Sequence, residues 1–211
     1  MTATADACRF LALGDSYTIG EGVCARERWP QQVTEALREE GTCIADPLII
    51  AVTGWTSDEL ACGMQAVALQ PPYDLVSLCI GVNDQYRGRD PEAYREQLTR
   101  LLERASMLAG GRPRQVMVVS IPDWGVTPFA REHAHDATAV GAALDRYNAV
   151  AREEVLRIGA HWADITSLSR ACGDAQGMLA DDSLHPSAAQ YRLWAQRLLP
   201  LARTLLAQLR S

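Results

Sequence analysis

Short apolar runs alternate along this chain with longer stretches of helical spacing. The runs fall at 8–13, 46–52, 74–80 and 114–120, with a weaker one at 160–164. Leu75-Val76-Ser77-Leu78-Cys79-Ile80 and Val116-Met117-Val118-Val119 are continuous rather than alternating. A strand with one wet face alternates, so these read as strands buried on both faces, as in a parallel sheet covered by helices.

The intervening segments carry helix signals. Asp90-Pro91 offers a capping carboxylate and a proline suited to a first turn. Behind it Tyr94, Leu98, Leu101, Ala105 and Leu108 recur at the spacing of one helix face. A second stripe runs Val140, Leu144, Tyr147, Ala151, Val155, Ile158. A third begins near Pro186-Ser187 and runs Tyr191, Trp194, Leu198, Leu201, Leu205. Pro200 is expected to kink or split that last helix. Shorter helices are predicted from Pro30 to Gly41 and over 57–68. About five strands and five helices in strict alternation predict one α/β domain over residues 1–211, a three-layer α/β/α sandwich on a five-stranded parallel sheet. Ligand sites in such sheets gather at the C-terminal strand ends. Ser16, Gly54, Asn83 and Asp123 each follow a predicted strand, so one edge is expected to hold them all.

Composition narrows the chemistry. With 211 residues, 48% of them hydrophobic, the chain can bury a sizeable core. A net charge of -6 and a pI of about 5.2 give no electrostatic pull toward nucleic acid or an anionic membrane. Only 6% of residues are aromatic and no basic aromatic stretch occurs, which argues against single-strand RNA binding. No apolar run approaches the roughly 18 residues of a membrane span. The chain contains no lysine, which excludes a Schiff-base lysine, a P-loop and a Ser-Lys dyad. Met1 to Ala7 is polar and lacks a basic region followed by an apolar core, so no secretory leader and a cytoplasmic location are expected. The scattered cysteines at 8, 24, 43, 62, 79 and 172 then read as reduced and mostly buried. The alternative is an exported protein with a disulfide or two.

Four segments carry the candidate chemistry. Gly14-Asp15-Ser16-Tyr17 places a hydroxyl at a strand end, and a serine nucleophile needs a base within hydrogen-bond reach. Asp182-Ser183-Leu184-His185 supplies one: a carboxylate on one ring nitrogen leaves the other free to take the serine proton. Gly54 offers a backbone amide that a substrate can approach closely, and Asn83, in Gly81-Val82-Asn83-Asp84, offers a side-chain amide, together a source of oxyanion donors. Each motif alone also has a structural reading, as a turn, a cap or an Asx turn. Trp124 and Phe129, in the segment after the fourth strand, are candidates to line an acyl pocket, as is Trp55 beside Gly54. That segment runs to about residue 137 and suggests a mobile cover. His133 and His135 could hold a metal ion, but no third ligand stands at typical spacing, so no metal site is expected.

Together the four blocks resemble the SGNH, or GDSL, hydrolases, in order and spacing, over residues 10 to about 198. The resemblance implies a flavodoxin-like fold and hydrolysis of esters or thioesters without a cofactor, with a small-molecule ester as partner. It implies Ser16 as nucleophile, His185 as base and Asp182 as the residue orienting it. The amides of Ser16 and Gly54 and the side chain of Asn83 would form the oxyanion hole. Tyr17 departs from the leucine of the family's name. The family includes esterases and deacetylases of acetylated sugars, and both readings stay open, as does a non-catalytic binding module that keeps the fold. A dinucleotide-binding reading fails because Ala25 stands where Gly20-x-Gly22 would need its third glycine.

Overall fold

The computed structural model describes residues 7–209; Met1–Asp6, most of the segment read for a leader, lie outside them. Strands β1 (Phe10–Gly14), β2 (Leu48–Ala51), β3 (Leu75–Cys79), β4 (Val116–Val119) and β5 (His161–Ala163) form one all-parallel sheet in the order β2-β1-β3-β4-β5. The helices are α1 (Ser16–Ile19), α2 (Trp29–Glu39), α3 (Ser57–Gln65), α4 (Val82–Tyr86), α5 (Pro91–Leu108), α6 (Pro128–Glu132), α7 (Ala137–Ile158), α8 (Thr166–Cys172) and α9 (Ala188–Ala207). The chain moves one way across the sheet from β1 to β2 and the other way from there to β5. Crossovers of one hand therefore put helices on both faces. α2 packs with α9 on one side, and α5 packs with α3 and α7 on the other.

The predicted patterns become the core. Every residue of β1, β3 and β4 is buried, as their continuous apolar runs require. Asp90 caps α5 by accepting from the Glu92 N–H, and the stripe from Tyr94 to Leu108 faces inward. The α7 stripe is buried from Val140 to Val155, and Ile158 packs against the core at its end.

Three expectations are corrected. Pro200 does not split the last helix: α9 runs through it. Pro200 lies on the exposed face, while Trp194, Leu198, Ala202 and Leu205 are buried around it. That burial offsets the roughly 3 kcal/mol a proline costs inside a helix. The cysteines are not mostly buried: Cys24, Cys43 and Cys62 are exposed free thiols, Cys8 is half-buried, and Cys79 and Cys172 are buried free thiols. The predicted helix over 57–68 ends at Gln65. The short helices α1, α4, α6 and α8 are too brief to show a period. No helix among the described residues is long and apolar enough to cross a membrane.

The register sets up the site. Gly14 aligns with Ala51 of β2 and Cys79 of β3, so the chain leaves three adjacent strands side by side. A Cβ on Gly14 would lie 2.5 Å from the Cys79 carbonyl oxygen and 2.2 Å from Thr18 Oγ1. Only glycine lets α1 start hard against β3. Gly14→Ala is expected to lower stability by about 1–3 kcal/mol, read as an earlier urea midpoint at unchanged slope; an unmoved midpoint would refute the close approach.

Candidate active site

Five chain segments converge at one edge of the sheet, four of them following the C-terminal ends of β1, β2, β3 and β4 and the fifth being the turn before α9. They enclose a cleft of about 210 Å³ lined by Ser16, Tyr17, Thr53, Gly54, Val82, Asn83, Tyr86, Trp124, Phe129, Leu184 and His185. This is the switch point of the sheet, where the crossovers from β1 and β3 diverge.

Ser16 is the first residue of α1. Asp15 caps that helix, its side chain accepting from the Tyr17 N–H at 3.0 Å. The first N–H groups of a helix have no carbonyl four residues back, so the Ser16 amide is free of the helix ladder. Burial pushes the Asp15 carboxyl up to about 7, with the charge of Asp84 adding and the Tyr17 N–H opposing.

His185 comes from a hairpin that ends before α9. Leu179 bridges Pro186, and the Ala180 N–H donates to the His185 carbonyl at 2.8 Å. Ser187, not His185, caps α9. His185 Nδ1 lies 2.6 Å from Asp182 Oδ2, which leaves Nε2 for the cleft. Asp182 Oδ1 also accepts from the N–H groups of Leu184 and His185, both at 2.9 Å. Burial raises the Asp182 carboxyl, but these hydrogen bonds outweigh it and hold the group below its ordinary value. Ser183 takes a left-handed φ of 59°, rare for a residue with a Cβ, at the centre of this turn. The imidazole rests on Tyr17, ring centroids 5.2 Å apart, and Tyr17 in turn stacks on Trp194. Among the described residues no hydrogen bond joins Ser16 Oγ to His185. Such bonds commonly close only when substrate is bound.

Gly54 follows β2 with a left-handed φ of 85°, a conformation that favours glycine. Its amide N–H donates to none of the described hydrogen bonds, while its carbonyl accepts from Arg87 at 2.7 Å. Asn83 stands in the first turn of α4, its Nδ2 donating one hydrogen to the Trp55 carbonyl at 2.9 Å. Next to it, Asp84 is buried and accepts from the Ser57 N–H and hydroxyl, at 2.9 and 2.8 Å, and from Arg89. That acid fastens α3 to α4; burial raises its carboxyl despite the Ser57 hydrogen bonds.

The aromatic candidates divide. Trp124 and Phe129 line the cleft. Trp124 is fixed by its Nε1–H to Gln85 Oε1 at 2.8 Å, and Phe129 lies in the first turn of α6, where its N–H donates to the Ser183 carbonyl at 3.2 Å. The segment proposed as a cover is thus tied to the turn that bears His185. Trp55 is a correction: its side chain turns from the cleft onto α3, where a Cβ on Gly63 would come within 2.1 Å of the indole. Asp123 follows β4 at the expected edge but does not line the cleft; it is buried, caps a short turn and pairs with Arg170 at 2.7 Å. The sequence reading missed Tyr17, Thr53, Val82, Tyr86 and Leu184 as lining residues. Tyr86 had a signal, since it lies three residues after Asn83 and so on the same helix face. Tyr86, Trp124 and His135 pack ring to ring, and His133 stacks on Phe129. Among the described residues no group of three or more His, Cys, Asp or Glu is placed to hold a metal ion.

Asp15 generates a pH test. Its carboxyl rises from an ordinary 3.8 to about 7 on folding, so the folded state binds the proton more tightly than the unfolded state. The cost of burying it ionised is absent below the unfolded value, grows as pH rises through that window and is complete above the folded value. Asp15→Asn removes this dependence. Its stability relative to the parent is expected to rise by roughly 2–3 kcal/mol between pH 5 and pH 8 in urea unfolding. A constant difference would show that the acid is not perturbed.

The profile of the GDSL-like Lipase/Acylhydrolase family matches residues 12–193. No curated protein matches in sequence. Among solved structures, TesA is similar over 94% of this chain and 99% of its own, with a TM-score of 0.74 at 20% identity. The psychrotrophic esterase EstA from Pseudoalteromonas sp. is similar over 94% and 98%, with a TM-score of 0.72 at 18% identity. The acetyl xylan esterase AlAXEase is similar over 91% and 98%, with a TM-score of 0.72 at 17% identity. At such identities the likeness is one of fold. The family profile itself spans all four motif segments, from β1 into α9, and the chain belongs to the GDSL-like lipase/acylhydrolase family of ester-hydrolysing enzymes.

Proposed function

We propose that this chain is a serine carboxylester hydrolase that cleaves small esters with short acyl groups through an acyl-enzyme on Ser16. The observation that carries this reading is the Asp182–His185 pair at 2.6 Å on the wall of the cleft that Ser16 also lines. In the cycle, Ser16 Oγ attacks the ester carbonyl and gives its proton to His185 Nε2. Asp182 holds the ring in the tautomer with Nδ1–H and stabilises the imidazolium that forms. The oxyanion is met by the N–H groups of Ser16 and Gly54 and by Asn83 Nδ2. Collapse breaks the bond to the leaving oxygen, which takes the proton back from His185. Water then attacks the acyl-enzyme by the same route and releases the acid. Every proton transfer is carried by this chain's own side chains.

The cleft supports a short acyl group. Its volume of about 210 Å³ lies below the roughly 300–1,000 Å³ usual for larger ligands. Beyond the proposed catalytic groups, Thr53 is its one aliphatic polar side chain, and Val82, Tyr86, Trp124, Phe129 and Leu184 supply most of the rest. A carbohydrate O-acetylesterase is the second reading, favoured by the fold shared with AlAXEase. Acetylated xylooligosaccharides assayed beside nitrophenyl acetate separate the two.

Two results are expected. Ser16→Ala lowers turnover of nitrophenyl butyrate by about 10³-fold or more, and an alkyl fluorophosphonate adds mass to the parent protein but not to this variant. Near-parental turnover in Ser16→Ala would sink the assignment. Phe129→Ala opens the cleft and raises the octanoate-to-acetate ratio of kcat/KM by roughly tenfold; an unchanged chain-length profile would remove Phe129 from the acyl wall.

A further inference from the structure

Gly54 is a lightly packed member of the proposed oxyanion hole. It has the backbone freedom of glycine, it follows the strand end in a loop, and the space where its Cβ would stand holds no atom within 4 Å. Packing on that side therefore does not restrain it. The hydrogen bonds of the loop do: the Trp55 N–H donates to the Val52 carbonyl at 3.2 Å, the Thr53 hydroxyl donates to Glu21, and Arg87 donates to the Gly54 carbonyl itself at 2.7 Å.

Arg87 is well placed for more than one bond. It ends α4, where its N–H donates to the Asn83 carbonyl at 3.0 Å. Its guanidinium uses Nη2 on Gly54 and Nη1 on Glu59 Oε1, at 3.2 Å. Glu59 is anchored in turn, since its other oxygen accepts from the Thr56 N–H and hydroxyl at 2.8 and 2.9 Å. The planar fork is thus held at one end and grips the Gly54 carbonyl with the other. Asn83 ties the next peptide from the opposite end of the same helix, through the Trp55 carbonyl. One short helix therefore holds both peptides that follow the donor amide of Gly54, and it carries the third donor, Asn83, as well.

We propose that Arg87 is a positioning residue for the oxyanion hole: by clamping the Gly54 carbonyl against α4 it sets the Gly54 amide in fixed relation to Asn83. This rests on the hydrolase reading given above. The Arg87–Glu59 pair is about half exposed on both sides, and exposed pairs contribute about 0–1 kcal/mol to stability. The fold does not depend on this arginine, whereas the geometry of a transition-state donor does; a misplacement of about 1 Å can cost 10²-fold in rate.

The test compares Arg87→Ala, Arg87→Lys and Asn83→Ala on nitrophenyl butyrate. Arg87→Ala is expected to lower kcat by about 10–100-fold with KM within about twofold, at a thermal midpoint close to the parent's. The rate of inactivation by an alkyl fluorophosphonate should fall by a similar factor. Guanidinium ion below denaturing concentration should restore part of the lost kcat, and tetramethylammonium should not. Arg87→Lys, which can reach Gly54 or Glu59 but not both, should fall between. The Asn83→Ala and Arg87→Ala effects should be less than additive, because both act on one hole. Parental kcat in Arg87→Ala while Ser16→Ala is inactive would overturn the clamp and leave the hydrolase reading intact. A loss of activity in Arg87→Ala matched by a loss of stability, with no response to guanidinium and parental kcat in Arg87→Lys, would also overturn it. Parental kcat in Asn83→Ala would instead strike the oxyanion hole itself.

Discussion

Parallel strands cannot be joined by a tight turn; the chain must cross back over a face of the sheet before it pairs again. The placement of Ser16, Gly54 and Asn83 follows from that constraint. Every strand ends at the same edge, and the order β2-β1-β3-β4-β5 makes the chain leave β1 and β3 in different directions. The crevice that opens there receives Ser16 from β1, Gly54 from β2 and Asn83 from β3 without any long excursion. The glycine at 14 lets α1 begin at once, so that Ser16 sits at the mouth of the sheet rather than on a loop.

The fourth segment has no such support, because it follows no strand of the sheet. Its geometry is built locally. Three hydrogen bonds converge on Asp182, a left-handed Ser183 sits at the bend, and a bridge from Leu179 to Pro186 closes the hairpin. Tertiary contacts then aim it: Tyr17 and Trp194 form a floor beneath the imidazole, and the N–H of Phe129 holds the Ser183 carbonyl. The residue after the serine and the wall of the cleft are thereby joined to the histidine turn. Beneath them two buried acids, Asp15 and Asp84, cap α1 and fasten α3 to α4, at a cost in stability that burial of carboxylates imposes.

Much of this was legible in the chain. Continuous apolar runs marked the strands because both faces of a parallel sheet are dry, and apolar stripes marked α5, α7 and α9 because each buries one side. The motif residues could be placed at one edge because strand ends coincide in this fold class. The reading faltered where neighbours decide. Trp55, adjacent in sequence to Gly54, turned onto Gly63, while Tyr86 entered the cleft from one turn beyond Asn83. Pro200 stayed within α9 because it faces water and its helix is pinned by burial elsewhere.

By itself, then, the sequence determined the layers, the parallel sheet and the identity of the groups that meet at its edge, since periodicity and residue chemistry are local properties that one chain carries. Tertiary structure alone decided which aromatic rings wall the cleft, how the Asp182–His185 turn is aimed, and that Arg87 reaches the carbonyl of Gly54. Those depend on side-chain directions and on contacts between segments tens of residues apart, which no spacing along the chain encodes.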